Sequence, residues 1–172
     1  MSEKCQQVFK KDLCFYECSP NLGPWLVKVN RKISSERMFN VPLCQSECNY
    51  WWDSCKSDRT CVTNWHIHFN WSTGTNTCPT NSSCDTIQSI FGNAKTFCES
   101  IWDDGWKVVP DDTVPSCMIF NERKEISVVE HNRLVTQKRA IEIIDLLNGT
   151  LRCTVMKKII LLLLFLVMAR KL

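Results

Sequence analysis

Cys44, Cys48 and Cys55 recur at i, i+4 and i+11, with Trp51 and Trp52 at i+7 and i+8, so a helix here carries all five on one face. Sulfur gathered in this way has two chemistries open to it: thiolates can hold a metal, or they can oxidise in pairs. Eleven of the 12 cysteines precede Met118, as do all 7 tryptophans. No C-x-x-C pair of the metal-binding kind occurs, whereas Asn-x-Ser/Thr acceptor sites stand at Asn70, Asn81 and Asn148. The combination reads as a disulfide framework in a glycosylated, extracellular chain, because thiols this numerous would stay reduced in the cytosol.

Other chemistry finds less support. His66 and His68 stand two apart and would share one side of a strand, but no third carboxylate or thiolate lies near them, and no metal is expected. No Ser-His-Asp set sits in a supporting motif and no glycine-rich loop cradles phosphate, so the chain is read as a non-enzyme with no catalytic residue and no cofactor. The acid pairs Asp103-Asp104 and Asp111-Asp112 fall in loop-like sequence and read as solvated charge. Residues 1–118 hold 11 Lys and Arg against 13 Asp and Glu, while residues 119–172 hold 10 against 5. The positive excess is thus separate from the aromatic part, which argues against a nucleic-acid partner.

The elements that would position these groups follow from spacing. A helix over 44–55 is stapled along its buried side, with Pro42 suiting its start and Asp53, Lys56 and Asp58 its solvent face. Cys14 and Cys18 repeat the i, i+4 spacing, and the run from Ser19 to Pro24 then breaks the helix in a rigid turn. Residues 60–84 alternate aromatic and polar types and predict an irregular, strand-like segment closed by a loop between Cys61 and Cys78. Residues 85–101 predict one short helix. Residues 130–147 predict an amphipathic helix with Leu134, Val135, Ile141, Ile144 and Leu147 inward and Asn148-Gly149 as its stop, a segment that looks grafted on.

The two ends carry further expectations. Met1-Ser2-Glu3-Lys4 runs at once into a cysteine, with no signal peptide, so the secretory reading expects an N-terminally incomplete sequence. Residues 159–169 are an unbroken apolar run, too short for the roughly 20 residues of a membrane-spanning helix. Preceded by the small residues Asn148-Gly149-Thr150 and a spacer, it is closer to a removable lipid-anchor signal, with a mis-joined exon as the alternative.

The block Cys14-Phe15-Tyr16-Glu17-Cys18-Ser19-Pro20-Asn21-Leu22-Gly23-Pro24-Trp25 resembles the folate-receptor family, which includes riboflavin-binding proteins and the egg receptor Juno. Asn40-Val41-Pro42-Leu43-Cys44, Trp51-Trp52-Asp53-Ser54-Cys55, Thr60-Cys61, Asn64-Trp65-His66, Asn70-Trp71-Ser72 and Ile101-Trp102 follow in order. The likeness runs over residues 5–117. It implies a small disulfide-rich α+β globule of several short helices and strands with a deep pocket for a pterin. It divides the chain into a cysteine-rich domain at 1–118, incomplete at its N-terminus, a divergent basic helical segment at 119–158 and a short hydrophobic tail at 159–172. It also implies the pairs Cys5–Cys55, Cys44–Cys117, Cys48–Cys98 and Cys61–Cys78, leaving Cys14, Cys18, Cys84 and Cys153 without assigned partners.

A pterin is a flat ring with an amide-like edge, so its site needs aromatic faces and a carboxylate. By resemblance, Asp12 would accept from the ring N–H donors, Tyr16 and Trp102 would stack on its faces, and Arg37 would donate to its carbonyl. Trp65, His66 and Trp71 would line the exit. Plainer readings stand beside these: Asp12 as the cap of a helix beginning beside it, Arg37 as a surface partner of Glu36 or Glu47, and the aromatics as core. The chain also departs from the family. Ile33-Ser34 stand for Trp-Arg, Ile67-His68-Phe69 for Lys-Gly-Trp, and Gly105 for a serine. The expected function is a cell-surface receptor that takes up folate or a related pterin with weakened affinity, on a membrane through its lipid anchor. The alternative is a Juno-like adhesion receptor with a protein partner on another cell and a decayed vitamin pocket.

Overall fold

Ser2 starts the first helix: its Oγ accepts from Cys5 N at 3.4 Å and opens α1, Glu3–Cys18. Cys5, Val8, Phe9, Asp12 and Phe15 form its buried face, at the i, i+3, i+4 spacing of a helix packed on one side. The computed structural model describes residues 1–31, 34–72, 74–112, 114–122 and 127–169, with side chains at 31, 34 and from 151 onward excepted. Ile33, the Ser34 side chain, Cys153 and the 159–172 tail side chains therefore lie outside the described residues.

Beyond α1, a 3-10 turn (Pro20–Trp25) leads into a hairpin of β1, Leu26–Arg31, and β2, Ser34–Met38, with Val27 opposite Arg37. β3 (Val41–Cys44) pairs in parallel with β6 (Trp106–Val109), and α2 (Gln45–Cys55) follows it directly. Pro42 does not start that helix, as the spacing suggested. It lies in β3, where its carbonyl accepts from Met118 N at 2.7 Å, and the helix begins three residues later. The short β4 (Arg59–Thr60) and β5 (Asp85–Thr86) form a third pair.

The expected single helix over 85–101 is two: α3, Ile87–Phe91, and α4, Ala94–Ser100. Gly92 breaks it with φ 76°, a conformation that costs glycine little, and the Asn93 side chain then accepts from Thr96 N at 2.9 Å to start α4. The segment 60–84 is irregular as expected, but its strand-like part is corrected. Beyond β4 the segment is mostly turns, joined by a bridge between Asn70 and Thr77. Buried Asn64 causes this: its Oδ1 accepts from His66 N at 3.0 Å and Ile67 N at 3.3 Å, folding the chain back where an alternating strand would have run.

Four disulfides tie these elements together: Cys5–Cys55, Cys44–Cys117, Cys48–Cys98 and Cys61–Cys78, the pairs the resemblance implies. The result is a small disulfide-rich α+β globule of short helices and short strands. Between the bridges Phe9 stacks on Trp65 at 4.7 Å and meets Trp51 edge-on at 5.1 Å, contacts of about 0.5–1.5 kcal/mol each beyond burial.

The chain divides into two compact units, Met1–Thr136 and Gln137–Leu172. α5, Val128–Ala169, begins in the first. There Asn132, 2 % exposed, accepts from Ile119 N at 3.0 Å and donates to Ile119 O at 2.9 Å, while Thr136 Oγ1 donates to Asn21 O at 2.8 Å. The first turns are thus built into the unit rather than grafted onto it. In the second unit Ile141, Ile144 and Leu147 are exposed, not inward as the pattern predicted. Asn148-Gly149 does not stop α5: a single glycine costs a helix only about 1 kcal/mol, and Gly149 takes no positive φ. Among the described residues no helix is long and apolar enough to cross a membrane.

Candidate ligand-binding cleft

Asp12 lies in the middle of α1 and is 1 % exposed, which rules out the capping role: Ser2 holds that position. Its Oδ2 accepts from Trp102 Nε1 at 2.7 Å and its Oδ1 from Trp106 Nε1 at 2.9 Å. Burial pushes the carboxyl up to about 7, against the pull of the two indole hydrogen bonds, with Trp106 the stronger. One turn on, Tyr16 faces the same cleft. Trp102 reaches it from the turn after α4, where Asp103 and Asp104 take φ 59° and 56°.

Arg37 comes from β2 and is not the surface partner of Glu36 or Glu47 that a bland reading suggests. Its guanidinium donates to Asp103 O, lies 3.7 Å from Asp103 Oδ2, and sits over the Phe39 ring at 5.0 Å. Asp103 also accepts from Asn64 Nδ2 at 3.1 Å. The acid that read as solvated charge is therefore a joint between the Arg37 strand, the Trp102 turn and the Asn64 turn. Nothing in its sequence context marks it, since its partners are 39 and 66 residues away.

These residues converge on a cleft of about 120 Å³ lined by Asp12, Tyr16, Arg37, His66 and Trp102, with Leu13, Glu17 and Met38 completing the wall. Trp65 and Trp71 are not in it. They line a second, larger concavity of about 360 Å³ beside Phe9, Lys10 and Phe69, and Leu13 and Trp102 belong to both. Trp65 is anchored there by its Nε1, which donates to Thr60 Oγ1 at 3.1 Å. Trp106 is the strongest omission from the sequence reading. Fully buried, it holds one oxygen of Asp12, and only the Asp12 pairing distinguishes it from any other core tryptophan.

Gly105 explains its own departure. A Cβ there would lie 2.8 Å from Met38 Cε and 3.1 Å from Trp102 O, so the Met38 thioether occupies the space a serine would need. The histidines do not form a metal pair on a strand face, since both sit in turns. Among the described residues the one sulfur group of ligand type is Cys61, Cys78 and Cys84, and the first two are already bridged. Cys14, Cys18 and Cys84 are unbridged and exposed, as are the Asn70, Asn81 and Asn148 side chains.

The profile of the folate receptor family matches residues 1–121. The chain is 44 % identical to human folate receptor gamma over 108 residues, which are 63 % of this chain and 44 % of that protein. It is 42 % identical to bovine folate receptor alpha over 108 residues, 63 % of this chain and 45 % of that one. With the riboflavin-binding protein of Gallus gallus it shares 32 % identity over 133 residues, 76 % of this chain and 52 % of the relative. The chain spans about half the length of these relatives or a little less.

Proposed function

Because the chain belongs to the folate receptor family, we propose that it is a non-enzymatic, cell-surface binding protein that captures folate or a related pterin for uptake. The observation that carries this reading is the meeting of Asp12, Tyr16, Arg37 and Trp102 on one cleft from three separate parts of the chain. The flat ring lies between Tyr16 and Trp102. An ionised carboxylate offers about four acceptor positions, and the two indoles occupy two of them at Asp12, leaving acceptor capacity for ring N–H donors. Arg37 has guanidinium donors beyond those it spends on Asp103 and Met38 O, and these serve the ring carbonyl. His66, Trp65 and Trp71 hold the benzoate and glutamate portions on the way out. Asn70, Asn81 and Asn148 carry glycans, and the segment after Asn148-Gly149-Thr150 directs exchange for a lipid anchor in the secretory pathway.

Titration of tryptophan fluorescence with folic acid tests the reading. Saturable quenching at micromolar ligand is expected, since Trp102 lies on the ring, and its absence would end the proposal.

A second reading, an adhesion receptor of the Juno type with a partner on another cell, is favoured by one observation. The groups meant for the ring are already engaged internally, Asp12 by two indoles and Arg37 by Asp103. Binding of the soluble chain to sperm, unchanged by excess folic acid, would select it; no cell or protein partner would remove it.

A further inference from the structure

Cys61, Cys78 and Cys84 hold their sulfurs within 4.8 Å of one another, although only Cys61 and Cys78 are bridged. Two local features put them there. β4 and β5 pair Arg59 with Thr86 and Thr60 with Asp85, so Cys61 and Cys84 are the residues immediately beyond the last rung on either strand. Arg59 pins that end, since its guanidinium donates to Cys84 O. Residues 79–83 then turn the chain back on itself: Ser82 N donates to Pro79 O at 3.1 Å and Asn81 takes φ 66°, which asparagine tolerates. The turn leaves Cys78 Sγ 3.8 Å from the sulfur of exposed, unbridged Cys84.

We propose that Cys84 is an exchange nucleophile and the Cys61–Cys78 bridge a switch, in which Cys78 passes between two neighbouring sulfurs. The Cys84 thiolate attacks Cys78 Sγ. The Cys78–Cys84 bond forms as the Cys61–Cys78 bond breaks, and Cys61 leaves with the electron pair and takes up a proton. One disulfide and one thiol stand on each side, so no oxidant or reductant is consumed. The resting pairing is Cys61–Cys78, because Cys61 is half-buried and a free thiolate is better solvated at exposed Cys84. What changes is the tie on residues 62–77. Their near end is held without it, by Trp65 N donating to Ile101 O at 2.9 Å and Trp65 Nε1 to Thr60 Oγ1 at 3.1 Å. The far end, where Asn70 and Thr77 pair, places Trp71 and Asn76 in the wall of the 360 Å³ concavity and follows Cys78. Exchange therefore resets that wall and spares the Asp12 cleft, in whose lining none of the described residues from 70 to 78 takes part.

The test follows the folded 172-residue chain for hours at about pH 8, the time scale of uncatalysed reshuffling. Acid stops the exchange, a maleimide blocks the thiols, and the linked peptides are read by mass. At the start Cys84 carries the label and Cys78 is joined to Cys61. With time a Cys78–Cys84 peptide should appear, and label on Cys61 should rise to match the loss at Cys84, at a rate independent of protein concentration. Cys84→Ser, at an exposed and unbridged position, should keep the fold and abolish both signals. A pairing that never changes in the wild type overturns the proposal, as does a rate that grows with concentration or a Cys61–Cys84 peptide as the first product. The wall is tested on Cys61→Ser, in which Cys78 should be found joined to Cys84; both remaining as thiols would also overturn the switch. In that variant chymotrypsin should cut after Trp71 several-fold faster than in the wild type, and equal cutting removes the movement of the wall.

Discussion

Asp12 can be tested without any ligand, because a carboxyl held in a dry site makes stability depend on pH. Its ordinary value is 3.8 and burial raises it to about 7 in the folded chain. The folded state therefore holds the proton more tightly than the unfolded one. Stability from this group is fully present below about pH 4, is lost as pH rises through 7, and stays flat above. A gap of about three pH units corresponds to about 4 kcal/mol. Asp12→Asn cannot ionise and should lack this slope. Its amide has one acceptor oxygen for two indole N–H groups, so one of Trp102 or Trp106 loses its partner, at about 1–3 kcal/mol. The variant should thus be clearly less stable than wild type at pH 4 and equal or more stable at pH 8. Urea denaturation of both, disulfides intact, at each pH from 4 to 8 measures the difference. A wild-type-minus-variant difference that does not change over this range would refute the buried-acid reasoning, since every other group cancels in the subtraction. In the ligand-binding assay the same group predicts the opposite direction. A ring donating to the ionised carboxylate should bind about tenfold more weakly for each pH unit below 7.

Gly105→Ser should destabilise by about 1–3 kcal/mol through its clash with Met38 Cε, and Met38→Val in the same chain should recover most of the loss, read from thermal melts. Replacing Cys48 and Cys98 together by serine should cost about 2–5 kcal/mol in denaturant midpoint, because both sulfurs are fully buried and the bridge joins α2 to α4. Iodoacetamide applied to the folded chain should label Cys14, Cys18 and Cys84 and spare the eight bridged cysteines, as peptide masses would show.

What could be read from the sequence was whatever depends on short spacing. The buried stripe of α2 and the turn after Cys18 follow from i, i+4 repeats and from proline and glycine, and the structure keeps both. Asp12, Tyr16, Arg37 and Trp102 could be named only because a specific block of residues resembled a family, as nothing local joins positions 90 residues apart. Errors came where one side chain redirected the backbone. Asn64 turned an alternating aromatic run into turns, and Gly92 with Asn93 divided one helix into two. The apolar periodicity at Ile141, Ile144 and Leu147 was real, yet those residues are exposed, because periodicity shows a face and not what covers it. Asp103 was missed because adjacent acids in a loop look solvated until their distant cation is known.

Whether the cleft serves a vitamin or only braces the fold turns on the cost of what already fills it. If Asp12 were merely a pin for Trp102 and Trp106, a buried acid raised to about 7 would be an expensive one, since neutral acceptors could hold two indoles without a charge to desolvate. A carboxylate is worth retaining where its remaining lone pairs meet donors that arrive from outside, because a charged hydrogen bond then returns roughly 1.5–3 kcal/mol that the empty protein does not collect. Arg37 follows the same logic in the opposite sign: Asp103 balances its charge in the empty state, so the guanidinium can stand beside the cleft without waiting unpaired for a carbonyl. On this argument Arg37→Ala should weaken folic acid and also lower the melt, because it frees Asp103 from the Arg37 strand, and Asp103→Ala should loosen both further, because it removes the joint to Asn64 as well as the balance to Arg37.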